Sequence, residues 1–241
     1  MYLHKKDYEI RYTDVDFNDS IKLSSLLSLM EESACLSADE LGFGYSVLQP
    51  KNIGFILVNW YVELFKPVKL GDVLTIHTWP IEPKKLIVFR DYELFVGGEK
   101  VGVATSRWCM VDLLTFNMLP ASRVFSDNMV YNDFRSVAFN GWKIPSLNVS
   151  GSPDYVKYVS YSDYDHYNHV NNTKYGDLLL DAFAPCDMQS KAIECAQISY
   201  VKQCKYGEKL EFFKQELEDG FYVVEGRVDG EVRIQLKVKF H

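Results

Sequence analysis

The sequence lacks several features that would place it in a special class of protein. No apolar run reaches membrane-spanning length, and the N-terminus, Met-Tyr-Leu-His-Lys-Lys-Asp-Tyr, lacks the apolar core of a signal peptide. The five cysteines form no Cys-x-x-Cys pair, which disfavours a structural zinc site and favours reduced thiols. A net charge of −7 disfavours nucleic-acid binding. We therefore expect a soluble, cytoplasmic protein without nucleic-acid partners or stable membrane insertion.

The composition is that of a folded chain with a substantial core. Hydrophobic residues make up 47% of the 241 residues and aromatic residues 15%, which is enough for one large domain or two of ordinary size. A repeated motif favours two. The segment Tyr12-Thr-Asp-Val-Asp16 matches Tyr161-Ser-Asp-Tyr-Asp165, 149 residues further along the chain.

Similar patterns follow each copy of this motif. A helical spacing of apolar residues runs from Leu23 to Leu41 and again from Val170 to Phe183. Each helix is followed by segments rich in β-branched and aromatic residues: 55–65, 73–79, 86–95 and 101–112 in the first half, and 193–201, 210–218, 222–228 and 231–240 in the second. A helix followed by antiparallel strands predicts an α+β fold. We predict an N-terminal domain over residues 1–120, a linker over 121–152 and a C-terminal domain over 153–241.

The segment from Tyr161 to Tyr175 carries the chemistry of the chain. Asp165 and His169 stand four residues apart where a strand gives way to a helix, and Asn168, Asn171 and Asn172 lie beside them. A helix beginning near His169 would point unpaired N–H groups into the same space and could hold an oxyanion. Such a set suits thioester hydrolysis without metal or cofactor. Any single residue among Asp163, Asp165 and Asn168 could instead be a helix cap.

The sequence of this segment resembles that of the acyl-ACP thioesterase family. Asp165-His-Tyr-Asn-His169-Val-Asn171-Asn172 is similar to the family's Asp-x-Asn-x-His-Val-Asn-Asn, and the resemblance extends to Lys66-Pro67, Gly71-Asp72 and Thr78-Trp79-Pro80. It implies a tandem (double) hotdog fold, with two antiparallel sheets each wrapping a central helix. It also implies an enzyme that hydrolyses fatty acyl thioesters of acyl carrier protein, working as a monomer or homodimer.

The resemblance assigns roles to individual residues. Asp165 and His169 match the catalytic Asp and His, with Asp165 as base or nucleophile, and backbone N–H groups near Asn171 and Asn172 would form the oxyanion hole. The family's Asn falls on Tyr167, with Asn168 adjacent, and its Glu-Cys pair on Gln203-Cys204, where a Gln cannot act as a base. Cys204 is either a nucleophile assisted by His169 or a buried strand residue, and we assign it a supporting role.

The first-half copy keeps Asp16 and Asn18 but has Ser20 at the His position, which predicts that it is inactive. The resemblance implies that this half houses the acyl chain, although ordinary core packing explains most of its apolar residues equally well. The candidate pocket residues are Leu27, Met30, Ala34, Phe55, Leu57 and Trp60.

Two other functions remain open. An acyl-CoA thioesterase would use the same centre and recognise the nucleotide end of its substrate. A non-catalytic acyl-binding hotdog protein would explain Tyr167 and Gln203, although Asp165 and His169 weigh against it. A hotdog dehydratase fits the His-Val-Asn-Asn context less well.

Overall fold

The computed structural model describes residues 2–125, 129, 131–166 and 168–241. In this part of the chain, eleven strands and three helices follow one another in nearly the predicted order. The helices are α1 (Leu23–Glu40), α2 (Tyr45–Leu48) and α3 (Lys174–Leu180). The strands are β1 (His4–Glu9), β2 (Ile53–Leu64), β3 (Val73–Lys84), β4 (Ile87–Val96), β5 (Glu99–Asp112), β6 (Met118–Leu119), β7 (Tyr155–Tyr158), β8 (Ile193–Tyr200), β9 (Lys209–Glu216), β10 (Tyr222–Val228) and β11 (Glu231–Phe240).

The strands of both halves form one continuous antiparallel sheet. Its order is β1-β3-β4-β5-β2-β8-β11-β10-β9-β7, with β6 paired to β5. The sequence predicted two sheets, one for each half. The structure joins them because β2 pairs with β8, from Asn59 opposite Ser199 to Glu63 opposite Cys195. Counted outward from this central pair, the strands are β2-β5-β4-β3-β1 in the first half and β8-β11-β10-β9-β7 in the second. Corresponding strands thus take corresponding places, as expected for two halves related by a pseudo-two-fold axis.

One face of the sheet holds both long helices. The apolar stripe of α1, with Leu23, Leu26, Leu27 and Met30 fully buried, belongs to the same core cluster as Leu179 of α3. Glycine allows the two helices to approach closely, because a β-carbon on Gly176 would lie 3.0 Å from the backbone nitrogen of Ser24. The Ser24 hydroxyl also donates to the Asp177 carboxylate across this contact. Within the described residues, no helix is both long enough and apolar enough to span a bilayer.

The described part of the predicted linker runs across the opposite face of the sheet. Alternate residues of a strand point to opposite faces, so Trp60 faces the core while Tyr61 stacks on Phe139 of the linker at 3.8 Å between ring centroids. Further along, the Gln197 amide of β8 donates to the Gly141 carbonyl at 2.9 Å. The linker therefore crosses the central strand pair and contacts both halves.

Two buried carboxylates anchor the linker to the sheet. Asp91 of β4 accepts hydrogen bonds from Arg135 Nε at 2.8 Å and from the Ser136 N–H at 2.8 Å, with its side chain fully shielded from solvent. Glu225 of β10 accepts from the Ser146 hydroxyl at 3.0 Å and the Leu147 N–H at 3.1 Å. A buried carboxylate is costly without partners, and the linker supplies them to Asp91; Glu225 also pairs with Arg227 of its own strand and accepts from the Gln235 amide.

Removing the first anchor should destabilise the fold. We expect Asp91→Ala to lower the free energy of unfolding by about 3 kcal/mol, because it leaves Arg135 and the Ser136 N–H without their partner. Urea unfolding measures the loss. Glu99→Ala, which removes a solvent-exposed pair with Lys66, is the control and should cost less than about 1 kcal/mol. Equal losses in the two variants would contradict the anchoring role.

Candidate active site

A tight loop places Asp165 beside His169. The Asp165 N–H donates to the His169 carbonyl at 2.9 Å, and the Asn168 N–H donates to the Asp165 carbonyl at 3.1 Å. Tyr164 and Val170 form an isolated antiparallel bridge that closes the loop at its base. Asn168 adopts a left-handed backbone conformation, with φ of 62°, which asparagine tolerates better than most residues. The sequence therefore fixes the neighbourhood of Asp165 and His169 through a local turn.

The first-half copy has the same backbone. The Asp16 N–H donates to the Ser20 carbonyl at 2.8 Å, the Asp19 N–H donates to the Asp16 carbonyl at 3.1 Å, and Val15 bridges Ile21. Asp19 occupies the position of Asn168 and is also left-handed, with φ of 55°. The motif repeated in the sequence is thus repeated in three dimensions, and the two copies differ in their side chains rather than in their backbone.

Asp163 stabilises the turn that precedes the Asp165 loop. Its carboxylate accepts from the Ser160 N–H at 2.7 Å and from the Ser160 hydroxyl at 2.9 Å, and it pairs with Lys157 at 3.1 Å. Burial alone would raise the pKa of Asp163, but these hydrogen bonds and the Lys157 charge outweigh burial and lower it. The capping interpretation therefore applies to Asp163. Asp165 is half-buried, and its Oδ1 accepts the His169 N–H at a long 3.4 Å.

The predicted start of the second helix was wrong. Helix α3 begins at Lys174 rather than near His169. Asn171 delays it: its side-chain oxygen accepts the Thr173 N–H at 2.8 Å and the Thr173 hydroxyl at 2.7 Å, forming an Asx turn. The Asn171 N–H itself donates to the Asp163 carbonyl at 2.8 Å and is therefore not open to an oxyanion. Of the predicted oxyanion pair, Asn171 thus has a structural role.

Gln203 and Cys204 lie in the loop after β8, not on a strand. The loop is held against the Asp165 segment by the Tyr206 N–H, which donates to the Tyr164 hydroxyl at 2.7 Å. Gln203 is exposed and Cys204 is buried. Burial raises the pKa of the Cys204 thiol despite the opposing effect of the Tyr175 hydroxyl, so the thiol is protonated at neutral pH. This disfavours a thiolate nucleophile.

The other predicted site residues are divided between the loop and the core. His169 and Asn168 are exposed, Asn172 is half-buried, and Tyr167 lies outside the described residues. Five of the six predicted pocket residues are buried in the main core: Leu27, Met30, Ala34, Leu57 and Trp60. Phe55 is the exception. It packs in a second cluster with Phe43, at 6.1 Å between ring centroids, and with Phe125.

Comparison with known proteins identifies the family. The profile of the acyl-ACP thioesterase N-terminal domain matches residues 1–121, and that of the acyl-ACP thioesterase C-terminal domain matches residues 153–240. The chain belongs to the acyl-ACP thioesterase family.

Solved and curated relatives agree with this assignment. An acyl-ACP thioesterase from Bacteroides thetaiotaomicron superposes with a TM-score of 0.88 at 25% identity, covering 99% of this chain and 98% of that one. Oleoyl-acyl carrier protein thioesterase 1 of Arabidopsis thaliana is 26% identical over 117 residues, which is 45% of this chain and 32% of the plant protein. The Bacillus subtilis protein YneP, provisionally named an acyl-CoA thioesterase, is 27% identical over 53% of this chain and 93% of its own length. The alignment thus spans about a third of the plant relative. The fold is the hotdog fold of these structures.

In this member of the acyl-ACP thioesterase family, a further carboxyl that the sequence did not predict interacts with the Asp165 loop. Glu31 lies on α1 of the first half, and its Oε2 is buried without a hydrogen-bond partner among the described residues. Burial, followed by the Asp165 charge and then that of Glu32, raises the pKa of Glu31 to about 7. A carboxyl of the first half therefore interacts with the Asp165 loop of the second.

A signal for Glu31 was present in the sequence. It stands four residues after Leu27 and three before Ala34, both buried, so a carboxylate occupies the apolar stripe of α1. A second contact confirms that the two halves meet here: the Tyr45 ring, at the start of α2, lies edge-on to the exposed His166 ring, at 5.7 Å between centroids. The candidate active site is thus located where the two halves meet.

Glu31 should make stability depend on pH. Its pKa is higher in the folded state, about 7, than its ordinary 4.5, so its stabilising effect is complete below pH 4.5 and is lost as the pH rises through 7. The displacement corresponds to at most about 3 kcal/mol. We expect Glu31→Gln to become more stable than the wild type by up to this amount between pH 4.5 and pH 8, measured by urea unfolding.

The control for this prediction is Glu218→Gln, which removes an exposed carboxylate far along the chain. Its free energy of unfolding should follow the wild-type curve at every pH. Parallel curves for the wild type and Glu31→Gln would show that Glu31 titrates normally.

Proposed function

We propose that this protein hydrolyses fatty acyl thioesters of acyl carrier protein, releasing a free fatty acid and the carrier thiol. The observation that supports it most is the Asp165–His169 loop, placed where the two halves of a hotdog protein of the acyl-ACP thioesterase family meet. The first-half loop has the same backbone but carries Ser20 in place of a histidine. One catalytic centre per chain follows.

Asp165 is the group best suited to activate water. It is half-buried, which shields its carboxylate from full solvation while leaving access to substrate. In the proposed reaction the carboxylate takes a proton from water, the water oxygen attacks the thioester carbonyl carbon, and the C–S bond then breaks to release the thiolate. Direct attack by Asp165, giving a mixed anhydride that water hydrolyses, would use the same residue as nucleophile.

Other residues of the loop would hold the reactants. His169 and Asn168 carry exposed polar side chains next to Asp165 and would orient the water or the carbonyl. Gln203 can donate a hydrogen bond to a carbonyl or position water, but it cannot accept a proton as a base. The backbone N–H of Asn172 is the remaining member of the predicted oxyanion pair. We assign Cys204 only a packing role beside Tyr175.

The acyl chain would enter the apolar interior of the first half. Leu27, Met30, Leu57 and Trp60 line the core between α1 and β2 and are buried. A tunnel through such a core can be closed by a single bulky side chain, so these positions would set the preferred chain length.

Replacing Asp165 should abolish turnover. We expect Asp165→Asn to lower kcat by about 10²–10⁴-fold, because the amide cannot take a proton while its oxygen can still accept the His169 N–H. Release of free thiol from an acyl-ACP measures the rate. Asp16→Asn, in the loop with the same backbone, is the matched control and should retain the wild-type rate. A wild-type rate in Asp165→Asn would remove Asp165 from the mechanism.

A substrate panel separates the proposed function from its alternatives. We expect thiol release from acyl-ACPs to exceed that from acyl-CoAs with the same acyl chains, with one preferred chain length. The likeness to YneP over half of this chain makes acyl-CoA the second candidate, and a preference for CoA esters would favour it. No turnover of either class by folded protein would favour acyl binding without catalysis.

A further inference from the structure

Glu31 is a buried carboxyl that the proposed reaction does not yet use. It projects from α1 of the first half, and its Oε2 is shielded from solvent without a hydrogen bond from the described residues. The Asp165 charge contributes to its raised pKa, so the two carboxyls lie within electrostatic reach of one another. Glu31 as a whole is half-buried, but an oxygen buried without a hydrogen bond costs free energy, so a purely structural role would be better served by an apolar side chain.

The position that corresponds to Glu31 in the second half is apolar. At the 149-residue offset of the repeat, Leu180 of α3 corresponds to Glu31, and it packs against the main core. The first-half loop, which corresponds to the Asp165 loop, is attached to the second half by Asn18. The Asn18 side chain donates to the Met188 carbonyl at 2.8 Å and the Lys191 carbonyl at 3.0 Å, and accepts the Ser190 N–H at 3.0 Å.

The asymmetry between the two halves is therefore chemical. In the first-half loop, the Asn18 side chain binds the second half. The position on α3 that corresponds to Glu31 is the apolar Leu180. In the second-half loop, Asp165 is accompanied by a second carboxyl from the other half. His169 and Glu31 occur together at one loop, and their counterparts at the other loop are Ser20 and Leu180.

Among the described residues, no cation acts directly on Glu31, although the buried Arg90 acts on two of its neighbours, Cys35 and Tyr92. Its titratable neighbours come from its own helix, from the Asp165 loop and from two strands of the sheet. They are Glu32 and Cys35 on α1, Asp165, Tyr92 on β4 and Tyr200 at the end of β8. Burial, then the charges of Asp165 and Glu32, therefore favour a proton on Glu31 near pH 7.

We propose that Glu31 is a second catalytic carboxyl of the Asp165 site, accepting the water-derived proton from Asp165 and delivering it to the departing thiolate. This inference rests on the proposed function. Water loses a proton to Asp165 as its oxygen bonds to the carbonyl carbon, and the proton passes to the ionised Glu31. When the C–S bond breaks, Glu31 returns the proton to sulfur, so that the products are the fatty acid and the thiol and both carboxylates are restored.

The pH dependence of kcat tests this role. The proposal requires ionised Glu31 at the start of each cycle, so wild-type kcat on an acyl-ACP should rise with pH through about 7, where Glu31 titrates. We expect Glu31→Gln to lower kcat at pH 8 by about 10–100-fold and to remove this rise. Glu31→Asp, which keeps a carboxyl, should retain the rise at a shifted midpoint with an intermediate rate.

The matched control is Glu32→Gln, an exposed carboxylate on the same helix. It should keep the wild-type rate, with the midpoint of the rise moved slightly to lower pH because one negative charge beside Glu31 is lost. Thermal unfolding at pH 8 verifies that each variant is folded. If Glu31→Gln fails to fold, Glu31→Asp decides: a displaced midpoint supports the proposal and an unchanged one overturns it.

The outcomes separate this inference from the proposed function. A Glu31→Gln protein that keeps the wild-type rise, whether or not its rate falls, would give Glu31 a structural role only and would leave Asp165 as the sole carboxyl in the reaction. Wild-type protein that releases no thiol from acyl-ACP or acyl-CoA would instead overturn the proposed function, and with it the proton transfer through Glu31.

Discussion

The pairing of β2 with β8 determines how the rest of the molecule is arranged. Five residue pairs, from Asn59–Ser199 to Glu63–Cys195, join the two halves into one sheet. Because the strand order is repeated on both sides of this pair, α1 and α3 lie on the same face and come into contact at Ser24 and Gly176. The contact places Glu31 of one half near Asp165 of the other. A site made of groups from both halves is thus a consequence of sheet pairing.

The two loops share a backbone but differ in what their side chains contact. Both loops keep the same hydrogen-bonded backbone, and in both a buried aspartate, Asp14 or Asp163, holds the preceding turn. The first loop then uses Asn18 to bind carbonyl groups of the other half. The second retains the exposed His169 and the half-buried Asp165. One backbone motif thus carries a contact between the halves in its first copy and the proposed catalytic residues in its second.

The sequence predicted what local patterns determine and missed what depends on contacts between distant segments. The β-branched and aromatic residues of 73–79, 86–95 and 101–112 marked β3, β4 and β5, since this signal lies within each strand. The start of α3 was missed because the Asn171 side chain caps a turn ahead of the helix. The single sheet and the position of Glu31 near Asp165 depend on how the two halves meet, and no periodicity within one segment records that. Glu31 did leave a trace, as a charge within an apolar stripe.

The native contacts of the linker depend on both halves of the molecule. Its anchors, Asp91 and Glu225, belong to opposite halves, and its middle crosses the central strand pair at Tyr61 and Gln197. Neither anchor exists until its own half has formed, and the residues that the central pair brings together, such as Asn59 and Ser199, are far apart along the chain. Joining these distant residues costs loop entropy that a local contact does not. The linker can make its contacts with both halves at once only when the central pair is in place, so its full set of contacts reports that the whole molecule has assembled.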